Sequence, residues 1–383
     1  MIADASVGLR KGTNKIKVMH LTLSMGYGGL ERIVNTFAKR MNNNRHEVTV
    51  CSLDGGGYFL DDLAGHHVRG IILNRKPGMF DFSVLVRLIE LLRKEKVDIV
   101  HSHSGCSLYA ALGGRIACVK GIIHTDHGRL VPDRKGLVLE DRLASMFIDK
   151  YVSVSKELAV YLEKEVHISR KKIVTIENGV DTKDFRCLSD RTKTSMRREL
   201  DVGEDSQLIG TVCRLDSVKN LGYMIRSIEK VLKGRNNTKL VVVGEGPERK
   251  NIEGVIQDLD LNEKVVLVGQ RNDIERLMPA FDVFVLTSKS EGTSMTILEA
   301  MACEVPVTVS RVGGNCEIVK DGINGYSFPL SQPSVLVERV LELLNNPHKA
   351  KEMGRQGRMI AEKEFSLNSM LEKYSALYTD LAC

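Results

Sequence analysis

The stretch from Val283 to Ala302 reads VFVLTSKSEGTSMTILEAMA, which predicts a strand, a polar turn and a helix in that order. Seven residues separate its two glutamates, Glu291 and Glu299. In a doubly wound α/β sheet, ligands bind where strands end and helices begin. We therefore expect Glu291 on a loop that forms a binding site and Glu299 inside the helix that follows.

A second interpretation of this pair needs no ligand. Glu299 lies three residues after Thr296, which is the spacing of a capping box, where a glutamate folds back onto the start of its helix. Glu291 is then a solvated loop acid. Short motifs often match by chance, so the choice depends on the rest of the chain.

Length and composition describe a globular chain with two domains. The chain has 383 residues, of which 43% are hydrophobic and 27% are charged. Its apolar runs are shorter than the ~20 residues that span a bilayer, and residues 1–15 lack the apolar core of a signal peptide. The sequence therefore predicts a cytoplasmic protein.

The cysteine spacing and the net charge exclude further classes of protein. No two of the eight cysteines have the C-x2-C spacing of a zinc or redox site, so we expect neither a structural disulfide nor a bound metal. A net charge of +6 and 5% aromatic residues, without a concentrated basic run, do not fit a nucleic-acid-binding protein. The mild positive charge favours anionic substrates or an anionic membrane surface.

Apolar runs alternate with amphipathic helical segments along the chain, as in parallel sheets that are buried on both faces. The predicted strands of the first half lie at 17–23, 47–53, 68–73, 98–103, 121–125, 151–154 and 172–176. A polar stretch follows at 182–206. The predicted strands of the second half lie at 208–212, 240–243, 265–268, 283–286 and 305–309.

The break in this pattern predicts the domain limits. We predict an N-terminal extension at 1–15, Rossmann-like domains at 16–190 and 191–365, and a C-terminal helix at 366–383.

A glycine-rich loop, Gly26-Tyr27-Gly28-Gly29-Leu30-Glu31-Arg32, follows the first strand. Glycines and a helix N-terminus at this position suit a bound phosphate, although a plain turn between strand and helix also uses glycine. Glu31 replaces the third glycine of the dinucleotide fingerprint. Asp54 ends the second strand, where an NAD-binding protein has its ribose acid, so an NAD-dependent oxidoreductase stays an alternative.

Two cations, Arg214 and Lys219, follow the predicted strand at 208–212. A guanidinium fork and an ammonium group on one strand-to-helix loop can converge on a diphosphate. Fixed cations stabilise the charge that grows on a leaving diphosphate more in the transition state than in the ground state. Paired cations in a surface loop are also common without a ligand.

A histidine-rich segment, His124-Thr125-Asp126-His127-Gly128-Arg129, follows the strand at 121–125. His127 stands at a strand end before a glycine, where its side chain is well placed to reach a cleft. We interpret His101, His103 and His124 as structural, because no trio of histidines has metal-ligand spacing together with a carboxylate.

These motifs, in this order, resemble those of retaining GT-B glycosyltransferases of family 4. The matching elements are the two glutamates, the loop Gly28–Arg32, the Arg214 and Lys219 cations and His127. Further matches occur at 178–181, 243–247, 313–319 and 322–325. The resemblance covers the chain from about residue 17 onward. It implies an α/β fold with two Rossmann-like, doubly wound parallel-sheet domains that face each other across a cleft, and a C-terminal helix that packs back on the N-terminal domain.

The resemblance also implies roles for residues around a sugar-nucleotide donor. Glu291 would contact hydroxyls of the donor sugar, Glu299 the ribose hydroxyls, and His127 would lie close to the sugar. Arg214 and Lys219 would hold the diphosphate in place of a metal ion. The remaining donor-binding residues would be Gly28 and Gly29 at the diphosphate, Gly292, Thr293, Ser294 and Met295 at the sugar and diphosphate, and Arg271 at the border of the base.

The activity implied is transfer of a hexosyl unit from a UDP- or GDP-sugar to an acceptor hydroxyl, with retention and without a cofactor or metal. The acceptor class implied is a lipid-linked molecule or an oligosaccharide of cell-surface polysaccharide biosynthesis, at the inner face of the membrane with peripheral contact to anionic lipid. Thr293-Ser294 departs from the family's frequent Phe-Gly, which leaves the sugar open. A sugar-nucleotide epimerase is a further alternative. The intact set of charged motif residues argues against a catalytically silent binding subunit.

Overall fold

A computed structural model describes residues 15–383 except 27, 77–79, 130–132, 134 and 204. Most of the predicted N-terminal extension, and Tyr27 of the glycine-rich loop, therefore lie outside the described residues. The chain forms two compact units. The first unit contains the residues up to Thr125 together with Gly136–Tyr151 and Tyr374–Cys383, and the second contains Asp126–Lys135 and Val152–Lys373. The domain limits stated from the sequence stay predictions.

The first sheet has seven strands in the order β3-β2-β1-β4-β5-β6-β7. They are β1 (Ile16–Thr22), β2 (His46–Ser52), β3 (Arg69–Ile72), β4 (Ile99–His103), β5 (Gly121–Asp126), β6 (Lys150–Ser153) and β7 (Ile173–Thr175). The pairs β1–β2, β2–β3, β1–β4 and β4–β5 are parallel. The chain builds outward to β3 and then returns to place β4 on the other side of β1, which makes the β1/β4 boundary a topological switch point.

Helices connect these strands, as parallel pairing requires. They are α1 (Gly29–Met41), α2 (Tyr58–Ala64), α3 (Phe82–Glu95), α4 (Ser107–Ala117), α5 (Lys135–Ala144) and α6 (Lys156–Lys164), with a 3-10 turn at Arg170–Lys172. Local sequence sets their ends. Asp81 caps the start of α3, where its carboxylate accepts hydrogen bonds from the backbone N–H groups of Ser83 and Val84, and Lys96 caps its end in the left-handed conformation.

The second sheet has six strands in the order β10-β9-β8-β11-β12-β13, and its pairs are parallel. They are β8 (Gln207–Val212), β9 (Thr238–Val243), β10 (Val265–Gly269), β11 (Val283–Leu286), β12 (Val307–Ser310) and β13 (Gly325–Phe328). The helices are α7 (Asp190–Glu199), α8 (Leu221–Gly234), α9 (Arg249–Asp258), α10 (Ile274–Leu277), α11 (Met295–Ala302), α12 (Asn315–Ile318), α13 (Pro333–Asn345), α14 (Pro347–Glu364) and α15 (Leu367–Ala382), with a 3-10 turn at Met278–Ala280. The boundary between β8 and β11 is the switch point of this sheet.

The two parallel sheets confirm the predicted α/β class. Each predicted strand corresponds to a strand of the structure, with ends that differ by at most two residues. In contrast, β13 has no counterpart among the predicted strands. It is only four residues long, begins with Gly325 and alternates with a serine, so it lacks the continuous apolar run by which the other strands are recognised.

Both faces of the second sheet are buried, which explains why its strands are apolar at successive positions. In β11, Phe284 and Leu286 belong to one apolar core while Val283 and Val285 belong to the other. A fully buried Val, Leu or Phe side chain contributes roughly 1.5–3 kcal/mol. Gly210 of β8 is required by this packing, because a Cβ atom there would lie 2.1 Å from the ring of Phe281.

A buried histidine cluster joins the strands of the first unit to its C-terminal residues. In this cluster, Nδ1 of His20 lies 2.9 Å from Nε2 of His103. The two ring nitrogens of His101 lie 2.6 Å from the Tyr378 hydroxyl and 2.7 Å from the Thr125 hydroxyl. Ligand atoms of the three histidines lie within 4.8 Å of one another, but both His101 nitrogens are already hydrogen-bonded. We therefore assign the cluster a structural role, in which it fixes the end of α15 against β4 and β5.

The buried cluster predicts a loss of stability in acid. Burial lowers the pKa of His20 from 6.5 to about 3. Between these two pH values the unfolded chain binds a proton at this residue and the folded chain does not, so the free energy of unfolding falls as the pH decreases. In urea titrations from about pH 7 to about pH 4.5, His20→Asn should remove up to about 1.4 kcal/mol per pH unit from this dependence.

The control for this measurement is His348→Asn, since His348 is exposed at the start of α14. It should keep the pH dependence of the unmodified protein. His46 adds to that dependence, because burial and then Arg45 lower its pKa. An unchanged slope in His20→Asn would show that His20 is protonated in the folded protein.

Candidate active site

The predicted cations and the predicted acid lie on neighbouring loops of the second unit. Arg214 and Lys219 follow β8, and Glu291 follows β11. These two strands pair directly, with Phe284 opposite Gly210. Because the sheet is parallel, both loops leave the same edge at the switch point, where ligands bind in such sheets.

Lys219 and Glu291 form a hydrogen-bonded ion pair at this edge. Nζ of Lys219 lies 2.6 Å from Oε1 of Glu291, and the Ser288 hydroxyl donates to the same oxygen at 2.5 Å. The exposed fractions of the two side chains are 22% and 9%. Burial lowers the pKa of Lys219, but the charge and hydrogen bond of Glu291 outweigh this effect and leave that pKa raised. The pair therefore keeps Lys219 charged and fixes the positions of both side chains.

Hydrogen bonds to backbone carbonyl groups hold the loops after β8 and β11 together. The Thr287 hydroxyl donates to the carbonyl groups of Lys219 and Asn220, at 3.1 and 3.2 Å. The N–H of Lys289 donates to the carbonyl of Val218 at 2.8 Å. Thr287 and Ser288 are absent from the predicted site residues. Their position directly after a buried strand is the signal in the sequence that identifies them.

Three glycines allow other backbone segments to touch the chain at Glu291 and Gly292. A Cβ atom on Gly292 would lie 2.2 Å from the carbonyl oxygen of His127. A Cβ atom on Gly313 or Gly314 would lie 1.9 Å from the carbonyl oxygen of Glu291 or Gly292, respectively. The structure thus places the backbone of His127 against the predicted sugar-binding loop.

An ion-paired arginine that sequence reasoning missed supports the His127 loop. The Arg129 guanidinium donates to Asp126 at 2.5 Å and to Asp133 at 2.8 Å, and all three side chains are at most 8% exposed. The Ser290 hydroxyl donates to the Arg129 carbonyl at 2.6 Å. A cavity of about 350 Å³ beside this contact is lined by residues that include Arg129, Glu291 and Arg311. The spacing of Asp126 and Arg129 is the signal in the sequence.

The α11 helix decides between the two interpretations of the glutamate pair. Its N-cap is Ser294 and its first residue is Met295. Glu299 is therefore one turn inside the helix, 1% exposed, and Thr296 is not the N-cap. The capping box at Thr296 and Glu299 is not formed. Thr293 precedes the helix and donates a hydrogen bond to the carbonyl of Val154.

The other two predicted donor-binding cations differ in their surroundings. The Arg214 side chain is 64% exposed, and its Nε lies 4.0 Å from Asp216. Arg271 donates to both carboxylate oxygens of Asp273 at 2.8 Å and to Glu199 at 2.5 Å. Arg271 is thus held on the loop after β10, whereas Arg214 is available to an incoming anion.

The glycine-rich loop belongs to the first unit. Gly28 is the N-cap of α1, and a Cβ atom on it would lie 2.0 Å from a carboxylate oxygen of Glu31, whereas Gly29 has open space beside it. The Arg75 guanidinium binds both carboxylate oxygens of Asp54, at 2.5 and 3.0 Å. That pairing occupies the acid that an NAD ribose would need and weighs against the oxidoreductase alternative.

Comparison with known proteins is consistent with this geometry. The family model described as glycosyltransferase family 4 matches residues 27–184, and that of glycosyl transferases group 1 matches residues 192–359. An uncharacterised glycosyltransferase of Methanocaldococcus jannaschii is 30% identical, with 82% of this chain and 85% of the relative covered. The chain belongs to the family 4 glycosyltransferases.

Two further comparisons extend over nearly the whole transferase. The UDP-Gal:alpha-D-GlcNAc-diphosphoundecaprenol alpha-1,3-galactosyltransferase of Escherichia coli is 26% identical, with 96% of this chain and 98% of the relative covered. The crystal structure of HepE from Anabaena in complex with UDP and glucose matches with a TM-score of 0.86 and 21% identity, covering 95% of this chain and 99% of that one. This likeness confirms the GT-B fold.

The comparisons leave the roles of individual residues in the transferase as predictions. The structure brings Lys219, Glu291 and the His127 backbone together in one unit. None of the helices in the described part of the chain has the length and apolar character that crossing a membrane requires.

The glycine contacts predict that Gly314→Ala disables the transferase. The added methyl group must displace the Glu291–Gly292 backbone, since its nearest neighbours would be the carbonyl oxygen of Gly292 at 1.9 Å and the carbonyl carbon at 2.9 Å. Mispositioning of this kind costs on the order of a hundred-fold in rate. Steady-state kinetics should show that loss in kcat/KM.

Gly254→Ala is the matched control, because Gly254 lies in α9 with nothing within 4 Å of its would-be Cβ. It should keep full activity and gain up to about 1 kcal/mol of stability. Full activity in Gly314→Ala would mean that the loop does not need this backbone position.

Proposed function

We propose that the transferase moves a hexosyl unit from a nucleoside diphosphate sugar to a hydroxyl group of a lipid-linked or oligosaccharide acceptor, with retention of the anomeric configuration. The proposed process is cell-surface polysaccharide biosynthesis. The observation that carries this proposal is the Lys219–Glu291 ion pair at the β8/β11 switch point. The pair supports the proposal because it holds a cation and an anion side by side at the edge where the donor's diphosphate and sugar are proposed to bind.

The proposed diphosphate site consists of Arg214 and Lys219. Arg214 is exposed and can fold onto an incoming anion, while Lys219 is held in place by Glu291 and by the Thr287 contact to its backbone. When the anomeric C–O bond breaks, negative charge grows on the leaving diphosphate. Preorganised cations stabilise that charge without reorganising, so we propose that they act in place of a divalent metal and that the reaction needs no cofactor.

The proposed sugar site is the loop from Glu291 to Met295. The Glu291 carboxylate, which Lys219 and Ser288 hold in place, is proposed to accept hydrogen bonds from sugar hydroxyls. The backbone N–H groups at the start of α11 provide a positive dipole end for the anionic donor. Glu299, inside the same helix, is proposed to bind the ribose hydroxyls, and Arg271 to border the base. Gly28 and Gly29 are proposed to approach the diphosphate, and His127 the sugar.

In the proposed mechanism, bond breaking and bond formation at the anomeric carbon occur on the same face of the sugar. The bond from the anomeric carbon to the diphosphate oxygen breaks, and a bond from that carbon to the acceptor oxygen forms on the same face. The acceptor proton passes to the departing phosphate oxygen. Glu291 is engaged by Lys219 and Ser288 through the same oxygen, which supports a binding role for this carboxylate rather than that of a covalent nucleophile.

The relatives support the proposed substrates. The Escherichia coli relative is named for a UDP-linked galactose donor and a diphosphoundecaprenol-linked acceptor. The HepE structure contains UDP and glucose. We therefore favour UDP over GDP in the donor and a lipid-linked acceptor, with the reaction at the inner, cytoplasmic face of a membrane.

The donor site predicts thermal stabilisation by a nucleoside diphosphate. UDP at about 100 times its dissociation constant should add about 2.7 kcal/mol to the free energy of unfolding, with no change when EDTA is added. Arg214→Ala should abolish most of the shift in Tm. Arg355→Ala, which removes an exposed arginine from α14, should leave it intact.

The same shift in Tm is measured with UDP, GDP, ADP and NAD, so that the nucleotide that binds is identified. Stabilisation by NAD alone would contradict the transferase proposal and favour the oxidoreductase. In a separate assay with a sugar nucleotide and no acceptor, its conversion to another sugar nucleotide would favour an epimerase. Loss of the UDP shift in EDTA would contradict metal-independent binding.

Retention predicts the configuration of the product. Proton NMR of the product formed from an α-linked donor should show an α-linkage. Glu291→Gln should lower kcat/KM by about a hundred-fold or more. It removes the negative charge that pairs with Lys219 and that is proposed to accept hydrogen bonds from the sugar. A β-linkage, or a glycosyl group trapped on Glu291, would contradict the same-face mechanism.

A further inference from the structure

The cavity of about 350 Å³ beside Glu291 lies entirely within the second unit. Its volume is in the range of roughly 300–1,000 Å³ that pockets for small ligands have. The described residues that line it include the chain from Lys289 to Gly292, but neither Arg214 nor Lys219 of the proposed diphosphate site. The cavity is therefore a space of its own that shares only part of the Glu291 loop with the proposed donor site.

Three glycines of the cavity wall belong to the backbone contacts at the Glu291 loop. A Cβ atom on Gly128 would lie 2.9 Å from the backbone nitrogen of Gly292, and one on Gly313 would lie 1.9 Å from the carbonyl oxygen of Glu291. All of these residues line the cavity. A ligand in the cavity would consequently lie against the segments that hold Glu291 in place.

Charges of both signs line the cavity, and some of them are already paired. Arg129 is bound by Asp126 and Asp133, and Glu291 is bound by Lys219. These pairs leave little net charge on this part of the wall.

The other charged groups of the wall are two cations and one acid. Lys289, Arg311 and Glu157 are exposed, and none of them has an ion pair within the described part of the chain. Arg311 donates to the hydroxyl and the carbonyl of Ser327, at 3.2 and 3.4 Å, which uses two of the five N–H groups of a guanidinium. The wall thus offers both donors and an acceptor to a ligand.

Leu158 and Tyr161 of α6 supply the apolar part of the wall. The guanidinium carbon of Arg129 lies 6.0 Å from the centroid of the Tyr161 ring. Burial, and then the charge of Asp133, raise the pKa of Tyr161. Its hydroxyl therefore keeps its proton at neutral pH and can donate a hydrogen bond.

We propose that this cavity binds one sugar unit of a carbohydrate acceptor, namely a unit next to the one that reacts. Each sugar hydroxyl both donates and accepts hydrogen bonds, so it can use the cations and the acids of this wall together. A phosphate group fits less well, because it would meet the carboxylates of Glu157 and Glu291 as well as the cations.

The cavity is assigned to a unit that does not react because of the proposed mechanism. There the reacting hydroxyl must reach the departing diphosphate oxygen, and the two cations proposed to bind that diphosphate are not part of the cavity wall. The inference rests on the proposed function, since it assigns a second sugar position within the acceptor of that same reaction.

The test measures saccharide binding to the full-length protein by saturation-transfer difference NMR in the presence of saturating UDP. The probes are the methyl glycosides of glucose, galactose and N-acetylglucosamine, the disaccharides lactose and cellobiose, inorganic phosphate and glucose 6-phosphate. At least one neutral saccharide should bind, and inorganic phosphate should not compete with it.

Two variants and their controls locate the bound sugar. Arg311→Gln should raise the dissociation constant by about ten-fold, the fold-change for a lost hydrogen bond to a charged group, whereas Arg355→Gln should not change it. Cys316→Phe places a ring at the cavity wall and should abolish binding, whereas Cys187→Phe changes an exposed cysteine that does not line the cavity and should bind normally. The shift in Tm with UDP should be the same in all four variants.

Kinetics test the assignment to the acceptor. A disaccharide that binds should accept a sugar from one of the UDP-sugars. Arg311→Gln should raise its KM by about ten-fold and keep kcat within about two-fold, because a contact to a unit that does not react is made equally in the ground state and the transition state.

Four outcomes would overturn the proposal. They are no binding by any neutral saccharide, unchanged binding in Cys316→Phe, displacement of the saccharide by inorganic phosphate, and binding without transfer from any UDP-sugar. A normal UDP shift without saccharide binding would overturn only the acceptor position. Saccharide binding that Cys316→Phe abolishes, in a protein that UDP does not stabilise, would overturn the proposed donor site and leave the cavity assigned to a sugar.

Discussion

The ion pair between Lys219 and Glu291 is the contact around which the second unit's site is built. It joins the loops that follow β8 and β11, two strands that are adjacent in the sheet although 70 or more residues separate them in the chain. Partial burial strengthens the attraction between the two charges, and the charge of Glu291 keeps the pKa of Lys219 raised. An unpaired charge at this depth would change its protonation state or draw in water. Replacing either residue would therefore leave the other as an unpaired, largely buried charge.

Backbone packing of glycines is the second constraint. Gly292, Gly313 and Gly314 let the loops at the switch point touch without intervening side chains. This contact constrains the backbone at Glu291 and brings the backbone of His127 to the same place. Contacts of this kind restrict how the loops can move relative to one another, since an added side chain would have no room between them.

Most strands could be predicted from the sequence, since each is a continuous apolar run bounded by turn residues, and so could the charged residues at their ends. Glu291, Arg214 and Lys219 stand where strands meet helices, so topology alone places them near a ligand. The local signal of other features is weak or absent. β13 is short and half polar. The contacts of Arg129 with Asp126 and Asp133, and of Ser288 with Glu291, form only in the folded chain.

The sequence by itself determined the α/β class, the order of the strands along the chain and the loops that carry charge, because periodicity and turn chemistry are local properties. Only the tertiary structure decided which charges pair, that Asp54 is bound to Arg75, that Arg271 is held by Glu199 and Asp273, and that Glu299 is no part of a capping box. It also decided which apolar residues stay exposed on α5. These outcomes depend on partners distant in the chain, and no local pattern of residues encodes the distance between two side chains that meet only after the strands have taken their order in the sheet.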